Sequence, residues 1–171
     1  MKIIALLHQI FRLTGHQGMA PYALEWANNN SRIASGGSDN KVLIWDIEDY
    51  QTSMSTQLLM NKRELNAINH SNDFSNLKIQ AKYELKGHTD CVEDLSFHSK
   101  NKEILCSVSS DKSMIVWDIR TPEKVAYKID ELHKEDTHTV DWCVQNEYLI
   151  ASGASDGSCV IIDTRKVYLV Y

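Results

Sequence analysis

A chain of 171 residues with net charge −5 and pI near 5.8 has room for one ordinary domain. Its 43% apolar and 24% charged residues belong to a folded protein rather than a disordered one. The acidic balance argues against direct nucleic-acid binding, which requires a basic face, and suits a basic partner. No run approaches the about 18 apolar residues of a membrane-spanning helix. The apolar core Ile3–Leu7 is too short for a secretory leader. Cys91, Cys106, Cys143 and Cys159 include no C-x-x-C pair and read as buried free thiols of a reducing compartment.

In chain order, residues 1–13 end in a strand over His8–Leu13 that belongs to the edge of a preceding sheet. Tyr22, Leu24 and Trp26 alternate with Ala23 and Glu25 as a strand, Ile33–Gly36 is a second and Val42–Ile47 a third, with a tight turn at Gly37–Asn40. The Gly36-Gly37 pair lacks the Gly-Lys-Ser/Thr and helix of a phosphate loop and reads as a bend or bulge. Residues 48–79 are polar and lose the alternation; Ser55–Ala67 has loosely helical spacing. A strand resumes over Ile79–Leu85. Cys91–Phe97, Glu103–Val108, Ser113–Asp118 and Lys124–Ile129 then form a complete four-stranded meander. Thr137–Trp142, Tyr148–Gly153 and Ser158–Asp163 repeat it, and Val167–Tyr171 supplies a fourth strand.

These segments fall into a register. His16, His88 and His133 are each followed after 23 residues by Asp39, Asp111 and Asp156, and after 30 by Asp46, Asp118 and Asp163. Ser35, Ser107 and Ser152 stand four residues before each inner aspartate. Trp45 and Trp117 precede the closing aspartate; Ile162 takes that place in the third copy. Period and signature are those of WD repeats, one four-stranded antiparallel propeller blade per repeat. The expected fold is all-β: blade one over 14–86 with an insert at about 48–79, blade two over 87–131 and blade three over 132–171. Propellers close with about four to eight blades, so a three-blade arc is expected to be an incomplete ring with apolar faces on both flanks: a fragment, a truncated gene product or a piece completed by other copies.

Within each blade the histidine, serine, inner aspartate and tryptophan are expected to meet in one buried hydrogen-bond network. Ser, His and Asp also suggest a hydrolase triad, but an active site occurs once and this set occurs three times, with the serine inside a strand. No catalytic residue, cofactor or metal is expected. His133 and His138 lack the acidic or cysteine partners of a metal site. Blade three, without its tryptophan, is expected to be the weakest.

The phrases LTGHQ at 13–17, ALEW at 23–26, GHTDCVEDLSFH at 87–98, CSVSSDKSMIVWDIRT at 106–121, VDW at 140–142 and ASGASDGSCVIIDTRK at 151–166 resemble one WD-repeat family. It is the histone-binding, retinoblastoma-associated subunits of chromatin complexes, and the long insert resembles the plant branch. The resemblance implies a fragment of a seven-bladed propeller and a nuclear scaffold, also compatible with the cytoplasm. Its His-bearing face would bind histones or other basic tails alongside other chromatin-complex subunits. It points to Glu93 and His138, five residues past their histidines, and to Tyr22 as the nearest equivalent in blade one; Pro21 stands where the family often carries an acid. Trp117-Asp118-Ile119-Arg120, with Asp163-Thr164-Arg165 as a degenerate copy, also resembles the motif that docks WD proteins to cullin ubiquitin-ligase adaptors through arginine, here Arg120 and Arg165. A generic scaffold in ribosome assembly shares these features.

Overall fold

In the computed structural model, residues 12–17, 20–28, 32–48 and 78–166 are described. Along the chain these form β1 (Arg12–Thr14), β2 (Pro21–Trp26), β3 (Arg32–Gly37), β4 (Lys41–Asp46), β5 (Lys78–Gln80), β6 (Tyr83–Lys86), β7 (Val92–Phe97), β8 (Ile104–Ser109), β9 (Met114–Asp118), β10 (Val125–Ile129), β11 (Thr137–Trp142), β12 (Leu149–Ala154) and β13 (Cys159–Asp163). β2-β3-β4-β6 make one antiparallel sheet and β7-β8-β9-β10 a second, while β11-β12-β13 make a third of three strands. Residues 49–77 of the insert with its expected helix, residues 8–11 of the first expected strand, and the expected strand over 167–171 lie outside the described residues.

Alternation along each strand sends one set of side chains to the preceding blade and the other to the following one. Val42 and Ile44 of β4 join Leu95, Phe97, Leu105, Ile115 and Trp117 in the core between blades one and two. Cys106, Val108 and Met114, on the other face of blade two, join Val140, Trp142, Ile150 and Ile162 of blade three. β7 lies between β2 and β11, so the first strand of every repeat lines the same side of the arc.

The strand expected over Ile79–Leu85 divides. Tyr83–Lys86 pairs with β4 as the fourth strand of blade one. Lys78–Gln80 instead pairs in parallel with β1, matching Ile79 with Leu13. The reason is the outward face of blade one. Ile33, Leu43 and Trp45 point away from blade two and are buried by Ile79, with Leu13 and Ala81 packed beside them, and the Trp45 indole N–H donates to the Ile79 carbonyl at 3.1 Å. The two-stranded ribbon therefore covers part of a flank expected to be bare. Among the described residues on the two flanks, Leu24 is 65%, Trp26 55% and, on blade three, Ile161 73% exposed.

The turns between second and third strands are built alike. Asn40, Lys112 and Gly157 sit at φ of 64°, 67° and 78°, each directly after the inner aspartate; this left-handed residue reverses the chain within two positions. The cysteines differ from expectation. All four are free thiols, but only Cys106 is buried; Cys91 and Cys143 are half-buried and Cys159 is exposed, because it lies on the outer face of blade three.

Candidate functional site

Blade two holds the complete polar network. The Trp117 indole N–H donates to Ser107 Oγ at 2.8 Å, Ser107 Oγ lies 2.8 Å from His88 Nε2, and His88 Nδ1 lies 3.0 Å from Asp111 Oδ2. An ionised carboxylate only accepts, so the His88 proton sits on Nδ1, Nε2 accepts from the serine, and the chain runs one way from indole to carboxylate. Asp111 also accepts from the Thr89 and Ser113 backbone N–H groups and from Ser113 Oγ. Burial opposes its charge, yet the bonds from His88, Ser113 and Thr89 prevail and hold its pKa well below the usual carboxylate range. Ser107 is wholly buried, so no reactant reaches its hydroxyl.

Blade one brings three members together and leaves the fourth apart. His16 Nδ1 meets Asp39 Oδ1 at 2.8 Å and Nε2 meets Ser35 Oγ at 2.6 Å. Trp45, expected to extend this chain, instead bonds the Ile79 carbonyl of the ribbon. In blade three His133 Nε2 meets Ser152 Oγ at 2.9 Å. Its Nδ1 turns to Ser158 Oγ at 2.8 Å, which relays to Asp156 at 2.6 Å, while the direct separation of His133 and Asp156 is 3.7 Å. The Ser158 hydroxyl and the backbone N–H of Lys134 lower the Asp156 pKa to about 2. The sequence reading missed Ser113 and Ser158; their signal is a serine two residues after the inner aspartate, where blade one has Lys41.

Tyr22, Glu93 and His138 share a place in the fold. Each sheet breaks register once between its first two strands: between Pro21 and Ala23, between Val92 and Asp94, and between Thr137 and Thr139. The residue skipped each time is Tyr22, Glu93 or His138. A bulge re-aims the extra side chain out of the pleat, and here the bulges lie at the end of the arc's inner strands nearest the histidine loops. In blade one the bulge faces Gly36 and Gly37 of β3, so the irregularity lies opposite the glycines. Glu93 Oε1 accepts from Ser110 Oγ at 2.7 Å, and its Oε2 lies 3.8 Å from His138 Nδ1. His138 Nε2 meets Ser155 Oγ at 2.6 Å.

Residues the sequence reading did not single out tie the blades to one another. Glu25 accepts the Phe97 N–H at 2.9 Å, Ser96 the Trp142 N–H at 3.1 Å, and Asp94 the Val140 N–H at 2.9 Å. The inner strands have one unpaired edge, and these acceptors cap it. Burial, reinforced by the charges of Asp94 and Asp141, pushes the Glu25 pKa up from 4.5 to about 7. A raised carboxyl pKa means that the folded state holds its proton where the unfolded state has lost it. Its contribution to stability is therefore full below 4.5 and lost as pH rises toward 7. Glu25→Gln keeps the Phe97 bond without the charge. We expect the urea midpoint of wild type, relative to this variant, to fall between pH 4.5 and 7.5 and then level off.

Arg120 and Arg165 each close a two-armed fork on the aspartate of their own repeat, Asp118 and Asp163, and the Arg165 guanidinium also lies 4.8 Å over the Tyr148 ring. No group of three or more His, Cys, Asp or Glu residues among those described is arranged to hold a metal ion.

The family model for the WD domain, G-beta repeat, matches residues 7–46 and 79–118, the first and second copies of the register above. These two stretches are WD repeats. The chain is 31% identical over 156 residues to WD-40 repeat-containing protein MSI4 of Arabidopsis thaliana and 25% identical over 157 residues to WD-40 repeat-containing protein MSI3 of the same plant. Each match takes in 91% of this chain and 31% of the relative, so the chain spans about a third of the length of these WD-repeat relatives. Its third WD-type blade lies outside the two matched stretches and is the one that lacks the repeat's tryptophan.

Proposed function

We propose that this chain contributes part of a non-enzymatic WD-repeat scaffold whose His-bearing face receives histones or other basic peptide tails within chromatin-assembly, remodelling or modifying complexes of the nucleus. The observation that carries the reading is the row of bulges, which offers Tyr22, Glu93 and His138 in one register on three neighbouring inner strands. Glu93 has one oxygen anchored by Ser110 and the other turned toward His138, an arrangement suited to a lysine or arginine of a bound tail. Tyr22 is 56% exposed and gives such a tail a ring to lie on. The net charge of −5 favours a basic partner.

Binding of a histone tail peptide, followed by fluorescence anisotropy, tests this. Glu93→Gln is expected to weaken binding about tenfold, the equivalent of about 1.4 kcal/mol, and added salt to weaken wild type more than the variant. Arg120→Ala should leave tail binding intact. Equal affinity of Glu93→Gln and wild type would refute the assignment of the acid. Capture of ribosomal precursors in preference to histones would favour the ribosome-assembly scaffold. Docking to a ubiquitin-ligase adaptor has less support, since both candidate arginines are already closed on their own aspartates; loss of adaptor capture in Arg120→Ala would revive it.

A further inference from the structure

The two grooves between blades are built from corresponding positions and are filled differently. Between blades one and two, Arg32 lies 6% exposed and reaches Glu103 at 2.8 Å and Asp46 at 3.3 Å. Trp117 and Ile119, each 1% exposed, complete the filling. By strand register, the corresponding residues between blades two and three are Ile104, Ile162 and Thr164. All three are smaller than their counterparts. A cavity of about 380 Å³ opens there, with Ile104, Met114, Val116 and Ile162 as its apolar lining. Tyr127, Trp142 and Tyr148 add three aromatic rings, and His98, Glu147 and Thr164 bring the polar groups.

The charges around this cavity are already matched. Asp118 is paired with Arg120, Asp163 with Arg165, and Glu147 with Lys100 at 3.1 Å, so the site does not select a charged guest. His98 Nδ1 accepts the backbone N–H groups of Lys100 and Asn101, both at 3.1 Å, which leaves the ring proton on Nε2, 4.0 Å from Glu147 Oε2. Burial lowers the pKa of His98 and favours the neutral ring. Its ring also lies 4.6 Å from that of Trp142. Apolar walls, several rings and a few placed polar groups within a few hundred Å³ are the properties of a site for one large uncharged side chain.

We propose that the groove between blades two and three binds an aromatic side chain, tryptophan above all, presented by a partner polypeptide. The guest supplies in trans the bulk that Arg32, Trp117 and Ile119 supply within the chain one groove earlier. Ring contacts with Trp142 and Tyr127 hold it, and the indole N–H has the Glu147 carboxylate within the lining to meet. This is a contact separate from the His-bearing face and independent of what binds there.

N-acetyl-tryptophanamide is the probe, titrated into the full chain while the indole N–H resonance of Trp142 and the ring resonances of His98 are followed by NMR. Saturable shifts at both residues are expected, with N-acetyl-leucinamide at least fivefold weaker. Thr164→Ile restores the bulk found at Ile119, and Val116→Phe fills the cavity from the opposite wall; each should raise the dissociation constant at least tenfold. Ile161→Ser, on the outer face of the same sheet, should leave it unchanged. No saturable shift at Trp142 and His98, equal affinity for the leucine compound, or undiminished binding in both filled variants would each overturn the proposal.

Discussion

Asp111→Ala is expected to lower the unfolding free energy by about 3 kcal/mol, and Asp156→Ala by about 1 kcal/mol. Both aspartates occupy the same place in the repeat, so the contrast tests how the two blades are wired. Removing Asp111 leaves the Ser113 N–H and the exposed Thr89 N–H without their acceptor, and leaves the buried His88 N–H only the longer 3.2 Å contact to Ser113 Oγ, against 2.8 Å from His133 to Ser158. Each orphaned buried donor costs about 1–3 kcal/mol, and neighbours in one network are not additive. Removing Asp156 leaves His133 still bonded to Ser158 Oγ and Ser152 Oγ, and the groups it releases are exposed. Urea midpoints, with hydrogen exchange resolved by blade, would measure both. Equal losses would mean that the serine relay of blade three does not stand in for direct contact. Against a total stability of about 5–15 kcal/mol, the larger loss is a measurable share of the whole.

Leu132 and Ile162 are expected to be coupled by about 1–3 kcal/mol. In blade two the residue before the histidine is Gly87, and a Cβ there would come within 2.8 Å of Trp117 Cη2 and 2.9 Å of Val125 Cγ2. The glycine is required because the indole passes over it. Blade three has Leu132 in place of the glycine and Ile162 in place of the tryptophan, and both pack into the core shared with blade two. The leucine side chain is expected to fill from the loop part of what the indole fills from the strand. Ile162→Trp alone should overpack the site at about 1–3 kcal/mol, and Leu132→Gly alone should leave a void costing about 2–3 kcal/mol. Together they should recover most of either loss, because the new indole N–H can donate to Ser152 Oγ as Trp117 does to Ser107. A double-mutant cycle in urea decides it: additive losses would show that the two residues fill unrelated space.

The repeat was legible because spacing is a one-dimensional record of the turn lengths and strand lengths of a blade. His, Ser and Asp recur at fixed separations since the same loop must return to the same strand. What spacing does not carry is the partner of a side chain that leaves its own repeat. Trp45 turns to the ribbon because Ile79 brings a carbonyl to it from across the insert, which no local pattern encodes. Ile79 itself reads as strand, but nothing in the sequence says that it pairs in parallel with Leu13. Glu25, Ser96 and Asp94 look like the polar half of an alternating strand; their role depends on the next blade lying against them. The bulge at Tyr22, Glu93 and His138 is likewise hidden, because an extra residue in one strand is visible only beside its partner.

The acceptors that cap the inner-strand edges run in one direction along the chain. Glu25 reaches forward to Phe97, Ser96 to Trp142 and Asp94 to Val140, and Asp141 stands exposed at the register position of Glu25 and Ser96. The arc therefore has a head and a tail that differ chemically. Two copies joined through these edges could meet only in heterologous order, since a twofold-symmetric union would set carboxylate against carboxylate or N–H against N–H. Growth by such contacts ends when curvature closes a circle and otherwise continues as a filament.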